Sequence, residues 1–214
     1  MRQLFFSFLF ALTIFNAQAA VTDISRIYHE QPSLNGFDVC VGGGCADIKH
    51  VSISAEEWQK VTVIFANPAV IKLNDSLLNA AQERKLIAQA IGMLETIVGD
   101  KTQTSTDRAG TFNNSNFPGQ LDCNDEAINT TSYLRLLQQS GLIKYHQIED
   151  MRTRNFFFTG WPHTTAVIHE TGVGQRYAVD SWFYDNGHPA TIVPFEVWKS
   201  GFIPESSPIN QQER

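Results

Sequence analysis

The stretch QLDCNDEAINTTSYLRLLQQSG, Gln120 to Gly141, sets one cysteine, Cys123, at the foot of an apolar-periodic segment. Of the chain's three cysteines, the other two, Cys40 and Cys45, lie close together far upstream and flank Val-Gly-Gly-Gly. A thiol works as a nucleophile when it is partly exposed, ionises readily, has a base within hydrogen-bond reach, and has a third group to orient that base. The start of a helix meets the electrostatic requirement, because unpaired backbone N–H groups and the macrodipole favour an anion there. Asp125 and Glu126 in the same first turn oppose it, so a positive partner must supply the rest.

Six histidines compete for that role. His163 and His169 share one strand pattern, HTTAVIHE, followed by Thr171-Gly-Val-Gly174 and a second strand pattern, RYAVDSW. A hairpin turning at Thr171-Gly172 sets His163 opposite Asp180, with Cβ atoms about 5 Å apart. A longer turn through Val173 leaves the two as neighbours along the ribbon without being direct partners. His169 lies roughly 20 Å farther along an extended strand. Only one of the two can meet Cys123, and His169, next to the turn, reads as a surface histidine.

The elements that must position these groups are legible from periodicity. Ser54-Ala-Glu-Glu57 is a capping-box pattern that predicts a helix over 55–66, with Trp58, Val61, Ile64 and Phe65 at helical spacing. A second apolar stripe predicts a helix over 75–98, closed at Gly99. The polar, Thr/Asn/Gly-rich segment 100–121 follows as a long loop leading into Cys123; loops of that length inside a domain are usually functional or disordered. A third helix spans 124–140, with Ala127, Ile128, Thr131, Leu134 and Leu137 at i, i+3 and i+4 positions. Strand patterns then run over 144–151, 156–158, 163–169 and 176–183. Helices first and strands second indicate an α+β fold with an antiparallel sheet.

The amino terminus, MRQLFFSFLFALTIFNAQAA, carries one charge, an apolar run too short for a spanning helix, and a small-x-small site. It reads as a signal peptide over residues 1–19. About 195 residues remain, enough for one domain with a real core over 20–202, followed by a flexible polar tail over 203–214. The full chain has a formal charge of −6, and loss of Arg2 takes it one unit lower. No basic patch points to nucleic acid, and the mature chain has no run of membrane-spanning length. Export implies an oxidising compartment, so Cys40 and Cys45 are expected to form a disulfide across their glycine loop. A structural metal would need a second pair of ligands, which the sequence lacks. Cys123 is left as the odd thiol.

Asp122-Cys123-Asn124-Asp125, the helix ending Leu-Leu-Gln-Gln-Ser-Gly141, His163 opening a strand and Tyr-Ala-Val-Asp180-Ser-Trp182 seventeen residues on together resemble the transglutaminase-like, papain-fold superfamily. Within it the bacterial transglutaminase-like cysteine proteinases are the most similar. The resemblance covers roughly 119–182, under a third of the chain. It implies a papain-like core, with N-terminal helices packed on an antiparallel sheet and the nucleophile at a helix N-terminus. It makes Cys123 the nucleophile, His163 the base and then acid, and Asp180 the group that fixes the imidazole tautomer. The expected reaction is hydrolysis of an amide in a protein or peptide substrate through an acyl-thioester. Acyl transfer to an amine and a catalytically inactive peptide-binding module are the alternatives.

The backbone N–H of Cys123 is the natural first oxyanion donor, with Gln120 or Asn116 as a candidate second. Trp161, Trp182 and Tyr184 flank the proposed base and are candidates for the wall of a substrate cleft, or for plain core packing. Some members of the resembled group bind calcium near this helix start. Here Asn124 replaces an acid, and Asp122 and Asp125 alone are thin support for the six or more oxygens calcium takes. No cofactor is therefore required by this reading.

Overall fold

The structure is a computed structural model and describes residues 25–66, 79–111, 117–155 and 162–212. The signal-peptide reading, the strand expected over 156–158, and the candidates Asn116 and Trp161 lie outside those residues.

Three helices pack against two antiparallel sheets, so the α+β class expected from the sequence holds. After a short helical stretch over 25–29 comes a hairpin of β1 (Phe37–Val41) and β2 (Asp47–Val51), then helices α1 (Ala55–Ala66), α2 (Ala80–Thr102) and α3 (Cys123–Gln139). A four-stranded sheet follows in the order β3 (His146–Arg154), β4 (His163–Glu170), β5 (Arg176–Asp180) and β6 (Thr191–Pro194), with short helices α4 (Phe195–Lys199) and α5 (Ile209–Gln212) closing the described chain. The β1–β2 hairpin and β6 had no counterpart in the sequence reading.

Each helix starts where its capping chemistry dictates. At α1 the Ser54 hydroxyl accepts from Glu57 N–H at 3.2 Å and the Glu57 carboxylate accepts from Ser54 N–H at 2.7 Å. Asn79 and Gln82 form the equivalent reciprocal box at α2. That helix runs three residues beyond Gly99, and Gln103 (φ 65°) takes the left-handed cap position. Gly99 serves packing instead of termination: a Cβ there would lie 3.0 Å from the Asn186 side chain and 3.1 Å from Ser105 Cα. At α3, Asp122 caps the helix by accepting from the Asn124 and Asp125 amides. Helix α3 is enclosed on almost every side, packing on β4, β1 and β3, so even its polar Asn129, Thr130 and Ser132 are buried.

The main core joins α2, α3, the β1–β2 hairpin and the inner face of the large sheet through Ile87, Ile91, Leu94, Leu134, Leu137 and Ile168. A second cluster, with Phe183, Phe195, Trp198 and Ile209, lies at the β5 end. Part of the polar stretch after 202 takes part in it. Ile209, an apolar residue in a polar stretch, is buried against Gly110, and the Ser207 hydroxyl donates to Phe183 C=O at 2.6 Å. No helix among the described residues is long and apolar enough to cross a membrane.

Candidate active site

The β4–β5 hairpin aligns Ala166 with Val179 and His169 with Arg176. This register is two residues away from the one expected for a turn at Thr171-Gly172, because the connection is longer, with Gly174 N–H donating to Glu170 C=O. An even shift keeps the same side chains on the same face. Asp180 therefore sits diagonally from His163, a separation that long and aromatic side chains can bridge. His163 Nε2 lies 2.7 Å from Asp180 Oδ2, and both side chains are 2 % exposed.

The other Asp180 contact was not foreseen. Trp198 Nε1–H, on α4, donates to the same Oδ2 at 2.6 Å, and its fully buried indole lies 5.7 Å from the His163 ring centroid. Nothing in the local pattern PFEVWK marks that tryptophan, whose role depends on β6 turning back beside β5. Arg154, opposite His163 across the β3–β4 ladder, is the second unforeseen residue. Its guanidinium lies over the Trp198 ring at 4.9 Å and donates to Trp198 C=O and Phe202 C=O. Burial lowers its pKa, while the charges of Asp180 and Cys123 act to raise it.

His163 Nδ1 is buried and has no hydrogen-bond partner among the described residues. Cys123, 6 % exposed at the first position of α3, is close enough for its thiol to act on the ring. Burial lowers the His163 pKa, but the charge and hydrogen bond of Asp180, with a further contribution from Cys123, outweigh it and raise the value to about 9. The imidazole is thus held as a cation with one nitrogen on the carboxylate and the other directed away from it. In the Ser-His-Asp template it is Nδ1 that faces the acid; here Nε2 does.

Trp182 packs beside His163 with its ring tilted by 41°, at 4.6 Å between centroids, and is pinned by donation from its Nε1 to Thr111 C=O. Tyr184 is turned elsewhere, stacking on His188 at 3.8 Å and pairing its hydroxyl with Ser206. Gln120 is committed to the loop that precedes Cys123: Oε1 accepts from Arg108 N–H and Nε2 donates to Thr106 C=O, each at 3.1 Å. It braces that loop. His169 lies at the far end of β4, half-buried, with Nδ1 3.1 Å from Glu149.

Below the first turn of α3 lies a group of buried acids that periodicity did not reveal. Ser181 Oγ donates to Glu126, and Thr130 Oγ1 is 3.2 Å from the same hydroxyl. Glu95 accepts from Gly187 N–H, and Asp107 accepts from Leu121 N–H at 2.8 Å. Burial pushes Glu95 up to about 8 and Asp107 to about 6, and burial with the charges of Glu95 and Asp107 raises Glu126 well above the carboxylate range.

The expected Cys40–Cys45 disulfide is present, and the loop it closes faces Asp122 and Asp125. Gly43 N–H donates to Asp125 Oδ2 at 2.7 Å, Cys45 N–H to Asp125 Oδ1 at 2.6 Å, and Gly44 N–H to Asp122 Oδ2 at 2.8 Å. Asp122 Oδ1 accepts from Asn124 and Asp125 N–H. All four carboxylate oxygens thus already take amide donors, an environment that does not fit a calcium ion. No cluster of three or more ligating side chains occurs among the described residues.

Comparison of the chain with protein-family models, with curated proteins and with solved structures finds no match.

Proposed function

We propose that the protein is an exported cysteine hydrolase of the transglutaminase-like, papain-fold kind, cleaving an amide bond in a protein or peptide. The observation that carries this reading is the buried His163 ring, held by Asp180 through Nε2, with Nδ1 unpartnered and the Cys123 thiol acting on the ring from the start of α3. Such a cationic ring supplies the positive partner that a thiolate flanked by Asp122 and Asp125 requires.

The thiolate attacks the carbonyl carbon, a C–S bond forms, and the carbonyl π electrons move to oxygen. The Cys123 N–H, at the first helical position and so without an intrahelical acceptor, donates to that oxyanion. His163 gives its proton to the departing amine as the C–N bond breaks, leaving an acyl-thioester. Water then attacks, His163 takes the proton, the C–S bond breaks, and the carboxylic acid leaves. Asp180, fixed by Trp198, keeps the ring in one orientation through both halves. No metal has a step in this scheme. The disulfide fits an oxidising compartment and supports export.

The test compares protein termini in the exported fraction of cells carrying wild type and Cys123→Ala. Termini lost in the variant are expected. Unchanged termini with altered crosslinks would replace hydrolysis by acyl transfer, and no difference would favour a binding module.

A further inference from the structure

The imidazolium of His163 can partner a thiolate only if the start of α3, with its two carboxylates, is held in place against it. Asp122 and Asp125 flank Cys123 in sequence, and anionic neighbours oppose a thiolate. Burial and the charge of Asp122 push Asp125 up to about 6 even though the amides of Cys45 and Gly43 act to lower it. What faces these carboxylates is the loop between β1 and β2. Gly42, Gly43, Gly44 and Cys45 all have positive φ, at 87°, 83°, 60° and 59°. Turns of this kind gather successive N–H groups into an anion-binding concavity.

The same loop is anchored twice on α3. The disulfide packs against Ile128, and Asn129 closes a reciprocal pair with the Cys40 backbone, its Oδ1 accepting from Cys40 N–H and its Nδ2 donating to Cys40 C=O, each at 2.8 Å. The contacts to Asp122, Asp125, Ile128 and Asn129 span the first two turns of the helix that begins with the nucleophile.

We propose that the disulfide-closed loop Cys40–Cys45 is the positioning element of the nucleophile: its three amides hold the Asp122 and Asp125 carboxylates and so fix the start of α3 against His163. The proposal rests on the hydrolase reading. Glycine at three consecutive positions is what the left-handed run requires, and the disulfide keeps that run closed without metal.

The test is the alkylation rate of Cys123 by iodoacetamide at pH 6.5, located by peptide mass and read beside thermal unfolding. It uses the full mature chain as wild type, as Cys40→Ser with Cys45→Ser, and as Asp125→Asn with the disulfide intact. Opening the loop is expected to lower the Cys123 rate about tenfold, as misplacement of a reacting group does, while unfolding stays cooperative. Asp125→Asn sets an amide donor against the Gly43 or Cys45 N–H; loss of the anion alone would raise the rate, so the several-fold fall that is expected reports the displaced helix start. A purely structural loop would lower the unfolding temperature and leave the rate unchanged. Rates at or above wild type in the folded variants therefore overturn the proposal, and Asp125→Asn alone decides if the double variant does not fold. A wild-type rate no greater than that of an ordinary thiol overturns the hydrolase reading and this proposal together. A fast wild type with equally fast variants overturns only the latter.

Discussion

The described residues include two buried histidine–carboxylate pairs, and they differ in what is left over. His146 Nδ1 lies 2.8 Å from Glu83 and Nε2 lies 3.0 Å from the Arg84 guanidinium, while Glu83 also accepts from Lys144 and Tyr145 N–H. His163 lies 2.7 Å from Asp180 through Nε2, and Nδ1 has no hydrogen-bond partner among the described residues. Both pairs are buried, but the first joins a strand to a helix and the second joins β4 to β5. One has every ring nitrogen committed and ties the start of α2 to β3; the other holds a nitrogen in reserve beside a thiol. Burial and pairing alone do not mark a site; the uncommitted, charged nitrogen does.

The largest effect that separates the pairs is on turnover. Once a substrate is in hand, Cys123→Ala and His163→Ala are each expected to lower kcat by at least about 10⁴-fold, because members of such a unit act together. His146→Ala is expected to leave turnover per folded molecule near wild type. It should instead cost about 3 kcal/mol by stranding Glu83 and Arg84, or roughly 6–12 °C in unfolding temperature. Loss of turnover in folded His146→Ala would remove the distinction.

Asp180→Asn comes next, with an expected loss of about 10³–10⁴-fold in kcat, since the ring loses the carboxylate that fixes its tautomer. Trp198→Phe keeps the aromatic volume and removes one donor to Asp180, so a smaller loss, about tenfold, is expected. A Trp198→Phe enzyme with full activity and an unmoved pH profile would reduce that indole to packing.

How these pairs look in the sequence explains what could be read there. Capping boxes and apolar periodicity are local, so α1, the start of α3 and strands β4 and β5 were legible. Of the two hairpin registers the sequence left open the structure has the one with the longer turn, and the His163–Asp180 meeting holds because a shift of two residues preserves the face. Trp198, Arg154 and the acid group of Glu95, Asp107 and Glu126 were not legible: their partners are brought together only by the return of β6, the β3–β4 ladder and the packing of α2 on α3. The disulfide was legible from spacing and compartment, but its amide contacts to Asp122 and Asp125 depend on a run of positive φ that no local pattern announces.

The smallest expected effect is on stability against pH. The folded-state value of Glu95 lies near 8, above its ordinary 4.5, and that of His163 lies near 9, above 6.5. In both cases the folded chain holds a proton that the unfolded chain releases, so stability falls as pH rises across each window. The contribution of Glu95 is complete below 4.5 and lost through 8; that of His163 is complete below 6.5 and lost through 9. Glu95→Gln should therefore raise the unfolding temperature at pH 8 and change it little at pH 4.5. An equal change at both pH values would mean that Glu95 is not protonated in the fold.

The most direct measurement is the pH profile of Cys123 alkylation in wild type and His163→Ala. Wild type is expected to alkylate nearly as fast at pH 6.5 as at pH 8.5, because the imidazolium of His163 stands against the thiolate across that range. In His163→Ala the rate at pH 6.5 should fall by at least about tenfold and climb toward pH 8.5 like that of an ordinary thiol. Superimposable profiles for the two proteins would contradict the account, since the histidine would then have no hold on the nucleophile.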